Sequence, residues 1–437
     1  MSIYGSERVD AGTISKIVKL ALDRRFLSED SPTAVFFDLP RLKERLAALS
    51  RSFPEPALNA VATKACPAIG VLRVAARQGF GAECASKAEL LIAQRAGFPA
   101  NKIVYDSPTK TTAEIKYAMK AGMYLNVDNE QELSIIGRLA SGGFSRTVKP
   151  LGLRINPELS LTDFDRLPTP EEGRTITGLR SSKFGVPLRR ARELLIGDTH
   201  LRDLVAGLHV HIGSQSCPPN VIIKGIRRVV ELADILNMEH GYSINTIDIG
   251  GGLAVRYRDG DSSVSFEEFS ENLFSSVPRL REYRVITEFG RALFAGSGWV
   301  VSRVEYTKKV KDEDGNELNI AAIQTGGDMF VRTAYMDWYH DVIVLDAQGS
   351  VKTGEALPQD IAGPLCFSGD FIGHRRLLPP IDPQDWIVIR ESGAYTFGMW
   401  SHYNSRAFPP IYAYDEHSTM SVLHKGYSSE EMANFWQ

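Results

Sequence analysis

Polar side chains able to do chemistry stand at the ends of short apolar runs. Lys64 follows the run AVAT, Glu83 ends FGAE, and Glu288 ends RVITE. In a parallel β/α barrel, reactive groups gather where the strands end, so these side chains are expected to meet in one site. Lys64 is the candidate for covalent chemistry, because an amine that loses solvation in a barrel mouth can form an imine. The alternative for a lone lysine at a strand end is a solvated or salt-bridged side chain.

A glycine-rich turn is a candidate contact for a phosphate group. Gly250, Gly251 and Gly252 follow the strand TIDI, and their backbone N–H groups have no side chains in the way. A flexible turn is the alternative for three glycines taken alone. Ser214, in the segment HVHIGSQ, is a second candidate phosphate contact.

His209 and His211 precede that serine. Because side chains on a strand alternate between its two faces, these two histidines are expected to point to the same face. One of them could be an ordinary core residue. That interpretation suits His209 better than His211, which lies closer to the end of the strand.

Composition excludes several classes of protein. The chain has 437 residues, 43% of them hydrophobic, and a formal net charge of -3. This length predicts two large domains. A near-neutral charge provides no positive field for nucleic acid or an anionic membrane, so neither is expected as a partner.

The N-terminal sequence and the cysteines bear on cellular location. MSIYGSERVDAG has no apolar stretch behind a basic start, and no run of about 18 apolar residues occurs, so a cytoplasmic protein is predicted. The four cysteines lie far apart without a CxxC pair, which argues against a zinc site and a disulfide framework. Any one of them could be a working thiol; they are Cys66, Cys84, Cys217 and Cys366.

Strand-like and helix-like segments alternate from about residue 60 to about 290, which predicts an α/β fold with a (β/α)8 TIM barrel. Several helical segments end in a glycine that can close a helix in the left-handed conformation. The strand candidates are Ala60 to Lys64, Phe80 to Cys84, Ile103 to Asp106, Tyr124 to Val127, Leu151 to Ile155, Ala206 to Ile212, Thr246 to Gly250 and Arg284 to Glu288.

Beyond Glu288 the pattern changes to strands joined by tight turns, as in VVSRVEYTKKV, DVIVLDAQG and DWIVIRESGAY. This pattern predicts an antiparallel β-barrel or sandwich domain. The predicted division is an N-terminal segment, 1–38, that packs on the β domain, then a barrel at 39–298 and the β domain at 299–437. The polar stretch 156–185 is predicted to be a loop over the barrel mouth.

Several segments together resemble the alanine-racemase-like, fold type III pyridoxal-phosphate decarboxylases, and within them the diaminopimelate decarboxylases most closely. The resemblance covers nearly the whole chain, in the family's order. The matching segments are AVATKACP, GAECASKAELLIAQRAGF, GLHVHIGSQ, IDIGGGLAVRY, EFGR, RVEYTK, GPLCFSGD and ESGAYTFGMWSHYNSR.

The resemblance implies decarboxylation of an amino acid through aldimine and quinonoid intermediates of pyridoxal 5'-phosphate. Lys64 would form the internal aldimine, and His211 would stack on the pyridine ring. Glu288 would pair with the pyridine nitrogen and keep it protonated, so that the ring accepts the electrons left when carbon dioxide departs. The implied phosphate contacts are Ser214, Gly250, Gly251, Gly252, Gly290 and Arg291, and Glu83 and Arg154 are further cofactor contacts.

The β domain is implied to complete the site from a neighbouring subunit, which requires a homodimer. Cys366 matches the cysteine that protonates the quinonoid; without the resemblance, a buried small hydrophobic residue would be favoured. Tyr395 matches a tyrosine near the cofactor phosphate. Arg291 and Arg332 are candidate contacts for the substrate, since a guanidinium can bind a carboxylate with two hydrogen bonds.

The resemblance fails around the far end of the substrate. The glutamate that follows the catalytic cysteine in diaminopimelate decarboxylases is Phe367 here, the family's DGG is TGG at 325–327, and an expected tyrosine is Met336, with Tyr335 beside it. Tyr335 and Phe367 are therefore candidate substrate contacts. Loss of a charge partner redirects specificity by several kcal/mol. A larger or less polar amino acid than meso-diaminopimelate is predicted.

Two other functions use the same scaffold. An amino-acid racemase shares the quinonoid, but the length and the HIGSQ and GPLC segments favour decarboxylation. An inactive regulatory homologue should have lost cofactor contacts, whereas Lys64, His211, Glu288 and Cys366 are all retained.

Overall fold

The structure is a computed structural model that describes residues 8–141, 151–169, 175–312, 314–336 and 338–437. The chain forms two compact units. One contains Arg45–Val255 and Ser262–Ala292, and the other contains the chain up to Glu44, Arg256–Asp261 and Leu293–Gln437. We call them the barrel unit and the β unit. Within the described ranges, no helix combines the length and the apolar character needed to cross a membrane.

The barrel unit contains a closed ring of parallel strands, which confirms the predicted barrel. Every neighbouring pair in the ring is parallel, and the pairing of the fourth with the fifth strand closes it. The ring strands are β2 (Leu58–Ala62), β3 (Gly81–Cys84), β4 (Ile103–Asp106), β5 (Tyr124–Val127), β6 (Leu151–Asn156), β8 (Val205–His209), β9 (Thr246–Asp248) and β10 (Arg284–Thr287), and β7 (Val186–Pro187) extends β6.

Helices connect these strands, and local sequence sets their ends. Ser86 caps the N-terminus of one helix by accepting the Glu89 N–H, and Gly97 ends that helix at φ +102°. The helices are α2 (Leu39–Ser52), α3 (Ile69–Arg77), α4 (Lys87–Ala96), α5 (Thr112–Ala121), α6 (Glu130–Leu139), α7 (Leu188–Gly197), α8 (Pro219–Glu239), α9 (Phe266–Ser276) and α10 (Arg291–Phe294).

Four barrel strands, β2, β8, β9 and β10, end earlier than predicted. Strand β2 stops at Ala62, and Lys64 lies in the following single turn of 3-10 helix, Thr63–Ala65. Strand β8 stops at His209, and beyond it the carbonyl of Ile212 accepts hydrogen bonds from the loop N–H groups of Thr177 and Gly178. His211 therefore lies beyond the strand, and the expected period-two alternation does not extend to it.

The polar stretch 156–185 is a loop in its described parts, apart from one turn of 3-10 helix at Leu161–Asp163. It forms isolated bridges between Leu159 and Leu179 and between Ile176 and Gly213. The loop thus packs on the chain just beyond β8. Residues 170–174 of the predicted loop lie outside the described residues.

The β unit is built on a nine-stranded sheet in which most neighbouring strands are antiparallel. This confirms the predicted antiparallel β domain, within which the pairs β1 with β17 and β12 with β14 are parallel. The strands are β1 (Thr33–Asp38), β11 (Gly298–Lys311), β12 (Glu317–Ile323), β13 (Val342–Leu345), β14 (Leu357–Ala362), β15 (Phe371–Leu378), β16 (Trp386–Ile389), β17 (Ile411–Tyr414) and β18 (Met420–His424).

The N-terminal part of the chain lies in the core of the β unit. Strand β1 pairs with β11 on one side and β17 on the other. Phe36 of β1 stacks on Trp299 with ring centroids 4.5 Å apart, and helix α1 (Ala11–Asp23) buries Ile14 and Ile17 in the same cluster. Two further helices of this unit are α11 (Val331–Met336) and α12 (Ser429–Phe435).

Candidate active site

Lys64 lies beside a buried carboxylate at the carboxyl end of the barrel. The register pairs Ala62 of β2 with Glu83 of β3, which brings the residues that follow them together. Lys64 Nζ is 2.5 Å from Glu83 Oε2, and the lysine side chain remains 40% exposed. Lys64 therefore remains partly solvated, and its amine forms an ion pair with the fully buried Glu83.

Glu83 is buried deeply enough to resist ionisation. Burial raises the pKa of its carboxyl, and the nearby charge of Lys64 only partly opposes this. Its second oxygen, Oε1, is buried and has no hydrogen-bond partner within the described residues. Ionisation of Glu83 therefore depends on the ammonium group of Lys64 beside it.

Glu288 follows β10 and is also buried. Its Oε2 lies 3.5 Å from His209 Nε2. Burial would raise the pKa of Glu288, but the proximity of His209 outweighs it and lowers that pKa. Glu288 Oε1 is buried and has no hydrogen-bond partner in the described part of the chain, so an ionised oxygen is available to a ligand.

Arg154, on β6, is held in place by acidic and aromatic neighbours. Its Nη1 donates to Asp106 Oδ2 at 2.7 Å, its Nε is 3.8 Å from Asp128 Oδ1, and its guanidinium lies 4.4 Å from the ring centre of Phe184. Burial opposes ionisation of Asp106, but Arg154 and then His209 overcome it and keep the pKa of that carboxyl well below its usual value.

His211 is a neutral imidazole with a defined tautomer. Burial, followed by the charges of Arg154 and Lys64, lowers the pKa of His211 to about 3. The Gly251 N–H donates to His211 Nδ1 at 3.2 Å. Because Nδ1 is the acceptor, the proton of the neutral ring is on Nε2.

The glycine turn has no room for side chains. A Cβ at Gly251 would collide with the carbonyl oxygen of Glu288, and a Cβ at Gly252 would collide with that of Gly213. Gly250 and Gly252 also have φ of +66° and +110°, which favour glycine. The turn thus places bare backbone next to the ends of β8 and β10.

Three further predicted cofactor contacts lie in the same unit. Ser214 is fixed by its loop, because its N–H donates to Thr175 O at 3.0 Å and its carbonyl accepts from Thr175 Oγ1 at 3.1 Å. Gly290 follows β10, and a Cβ there would lie 2.7 Å from the Cβ of Ala65. Arg291 begins α10 and is buried.

Cys366 differs from the other three cysteines of the chain because it is exposed. Its N–H donates to Asn404 Oδ1 at 2.8 Å, and its carbonyl accepts from the Tyr403 hydroxyl at 3.3 Å. The alternative of a buried small hydrophobic residue is therefore wrong for Cys366. Burial raises the pKa of both the Cys66 and Cys217 thiols to about 12, which leaves them inert at neutral pH.

Asp370 ties the cysteine loop to the TGG loop of the β unit. Its Oδ2 accepts from the Leu365 N–H at 2.6 Å, and its Oδ1 accepts from the Gly327 N–H at 2.5 Å. The Gly363 N–H donates to the Asp370 carbonyl at 2.8 Å. One buried carboxylate therefore sets the shape of both loops.

Tyr335, Phe367 and Arg332, three of the residues predicted to contact the substrate, each lie against an aromatic ring. Tyr335 stacks on Phe367 with ring centroids 5.1 Å apart and planes at 8°, and Tyr403 meets Phe367 edge-on. We call Tyr335, Phe367 and Tyr403 the aromatic cluster. The Arg332 guanidinium lies 4.7 Å from the ring centre of Tyr395, a residue with φ of +56°.

Sequence reasoning missed part of the barrel site. Asp106 and Asp248 are buried at the ends of β4 and β9, and His209, which the sequence favours as an ordinary core residue, lies between carboxylates. The available signal was an acidic or basic residue closing an otherwise apolar strand. In the β unit, Asp370 and Asn404 lie within the matching segments GPLCFSGD and ESGAYTFGMWSHYNSR, but the sequence did not predict a role for either residue.

Comparisons with known proteins agree with these motifs. The family model for the pyridoxal binding domain of pyridoxal-dependent decarboxylases matches residues 39–295. Diaminopimelate decarboxylase of Vibrio cholerae is 33% identical over 383 residues, which are 87% of this chain and 86% of that protein. The Aquifex aeolicus enzyme of the same name is 29% identical over 84% of this chain and 82% of its own length.

Solved structures show the same fold. The crystal structure of diaminopimelate decarboxylase from Helicobacter pylori complexed with L-lysine superposes with a TM-score of 0.83 and 27% identity, covering 95% of this chain and 99% of that one. The resemblance drawn from the motifs is thereby confirmed. The family model matches more than half of this chain, and the Vibrio cholerae relative is 33% identical over 87% of it. The chain therefore belongs to the pyridoxal-dependent decarboxylases.

Proposed function

We propose that this chain decarboxylates an amino acid with pyridoxal phosphate as cofactor, and that its substrate ends in a less polar group than diaminopimelate. The observation that carries the proposal is the grouping of Lys64, Glu288 and the glycine turn. They follow three strands that are neighbours in the ring, β2, β10 and β9. An amine, an ionised carboxylate and a bare backbone turn are the three groups that the aldehyde, ring nitrogen and phosphate of this cofactor require.

The barrel residues fit pyridoxal phosphate. Glu288 Oε1 is a buried acceptor with no hydrogen-bond partner in the described residues, as expected for an oxygen that faces a protonated ring nitrogen. The turn at Gly251 and Gly252 excludes side chains and leaves N–H groups for the phosphate. When bound, the cofactor supplies an electron sink for the charge left at the substrate's α-carbon.

The chain's own residues then divide the remaining tasks. Lys64 would hold the cofactor through its Nζ, and Glu83 would accept a proton from that Nζ or return one to it. His211 offers a neutral ring that adds no positive charge beside the cofactor. Cys366, the exposed thiol, delivers a proton to the α-carbon. We infer that this thiol comes from the partner subunit of a homodimer, which makes each site a product of two chains.

The distal pocket supports a less polar substrate. Phe367 replaces a carboxylate beside Cys366, and its ring belongs to the aromatic cluster. Two buried carboxylates close to Cys366 and the TGG segment in the sequence already accept backbone hydrogen bonds. Asp370 accepts from the Gly327 and Leu365 N–H groups, and Asp328 accepts from the Gly326 N–H. A distal ammonium would therefore meet rings, whereas an apolar or planar group would pack against them.

Phe367→Glu is expected to raise kcat/KM for diaminopimelate by about 100-fold relative to the best apolar substrate. The new carboxylate pairs with the distal ammonium group and removes the penalty of about 2–3 kcal/mol for burying that group without a partner. The substrate is found first, by screening amino acids and their acylated conjugates for carbon dioxide release. Phe367→Leu is the control, since it removes the ring without adding charge. Efficient turnover of diaminopimelate by the unmodified enzyme would contradict the altered pocket.

Gly252→Ala is expected to weaken pyridoxal phosphate binding by about tenfold or more. The left-handed backbone costs an alanine about 1–3 kcal/mol, and the methyl group would displace the turn from Gly213. Equilibrium titration with the cofactor measures the change. Gly137→Ala in α6 is the matched control, because an added Cβ there meets nothing within 4 Å. If Gly252→Ala and Gly137→Ala bind pyridoxal phosphate with equal affinity, the glycine turn does not bind the phosphate.

A further inference from the structure

His209 is a fully buried side chain to which the proposed chemistry assigns no task. It ends strand β8 and is 0% exposed. Its Nδ1 lies 3.8 Å from Asp106 Oδ1, and its Nε2 lies 3.5 Å from Glu288 Oε2. Each ring nitrogen therefore faces a different carboxylate, an arrangement that favours a ring with a proton on both nitrogens.

Neighbouring elements present charged or titratable groups to this ring. Arg154 lies opposite His209 in the register of β6 with β8, but its charge is paired with Asp106 at 2.7 Å. The groups around His209 are, by element, Asp106 on β4, Arg154 on β6, His211 after β8, Asp248 on β9 and Glu288 after β10.

Asp248 is the one carboxyl of this set that is not expected to carry charge. Burial, and then the charge of Glu288, raise its pKa well above the usual value. It is satisfied by hydrogen bonds from Asn126 Nδ2 at 2.8 Å and from the Gly250 N–H at 3.0 Å. The two carboxylates that face the imidazole nitrogens therefore remain as its ionised partners.

We propose that His209 is held as an imidazolium between Asp106 and Glu288, and that this positioning residue keeps Glu288 ionised toward the cofactor's ring nitrogen. The inference rests on the proposed role of Glu288. Burial alone lowers the pKa of a histidine, but the charges of Asp106 and then Glu288 oppose burial, and the pKa of His209 is raised to about 9. Without the imidazolium, neighbouring carboxylates share a dry site and one of them takes up a proton.

The same three side chains have the composition of a metal site, since their ligand atoms lie within 4.8 Å of one another. A metal ion requires a ring nitrogen without a proton. Here the two carboxylates face different nitrogens of one ring, which suits two N–H donors better than one shared ion. Binding of zinc by this cluster would overturn the proposal.

The first experiment reports on the ring nitrogen and not on turnover. The holoenzyme is loaded with ¹⁵N-labelled pyridoxal phosphate, and the ring nitrogen shift is measured at neutral pH. We expect a protonated nitrogen in the wild type and in His200→Gln, an exposed histidine of the same unit, and loss of that protonation in His209→Gln. A change of one unit in the pKa of Glu288 alters the ratio of its ionised to its protonated form tenfold, and the ring nitrogen facing Glu288 reports that change.

The second experiment titrates the histidine itself. With ¹³C-labelled histidine, the signal absent from His209→Gln should titrate near pH 9 in the full chain without cofactor, and Asp106→Asn should lower that midpoint. Because the folded pKa exceeds the usual 6.5, the stability contributed by His209 is complete below about pH 6.5 and is lost as the pH rises through about 9. The difference in unfolding free energy between wild type and His209→Gln should follow that course.

The outcomes separate this inference from the proposed function. A wild-type protein that binds no pyridoxal phosphate overturns the proposed function. A wild type with a protonated ring nitrogen that His209→Gln retains overturns only the role of His209, as does a midpoint at or below 6.5 or a zinc-dependent shift of the His209 signal. If His209→Gln does not fold, Asp106→Asn and the wild-type titration still decide the protonation state.

Discussion

Lys64→Ala is expected to lose both the visible absorbance of the bound cofactor and the release of carbon dioxide, with kcat falling by about 10⁴-fold or more. The reason is covalent. Lys64 is the amine at the end of β2, beside the strands that carry Glu288 and the glycine turn. An alanine leaves no nucleophile for the cofactor aldehyde and leaves Glu83 buried without its ion-pair partner.

Two controls separate covalent chemistry from electrostatics. Lys64→Arg keeps a positive charge for Glu83, but a guanidinium stays protonated and does not form the bond, so it should be as inactive as alanine. Lys87→Ala removes an exposed lysine of the same unit and should leave both properties unchanged. Absorbance spectra and single-turnover carbon dioxide assays measure the outcome. Retention of both properties by Lys64→Ala would disprove the attachment of the cofactor at this residue.

The barrel was predictable because its signals are local. Most ring strands are short and largely apolar, and residues such as Glu83 and Asp106 lie at or next to their ends in the sequence. Helix ends were readable for the same reason, since a left-handed residue such as Gly97 follows the last turn. Periodicity and caps act over a few residues, so one sequence suffices to place them.

Other features depend on contacts far apart in the chain, which sequence patterns do not report. Strand β1 runs parallel to β17, almost four hundred residues later, and nothing in either strand indicates that direction. His209 looked like a core residue because its apolar neighbours are local, whereas Asp106 and Glu288 approach from other strands. The exposure of Cys366 was likewise invisible, although its neighbour Phe367 could be recognised as a departure.

Cys366→Ala is expected to lower kcat by about 10²- to 10⁴-fold while cofactor binding stays intact, because only a proton donor is lost. The loop that carries Cys366 is held by Asn404, Tyr403 and Asp370 through its backbone, so the substitution should leave its shape unchanged. Iodoacetamide should modify one thiol in the native chain and none in Cys366→Ala, because the other three cysteines are buried.

Mixing two inactive variants tests whether the thiol crosses between subunits. A dimer of one Lys64→Ala chain and one Cys366→Ala chain carries one site with both defects and one intact site, if each site takes its cysteine from the partner. Random exchange makes half of the dimers hybrid, so about a quarter of the wild-type activity should return. If the cysteine served the barrel of its own chain, each site of the hybrid would keep one defect and no activity would return. Recovery on mixing therefore distinguishes a shared site from a self-contained one.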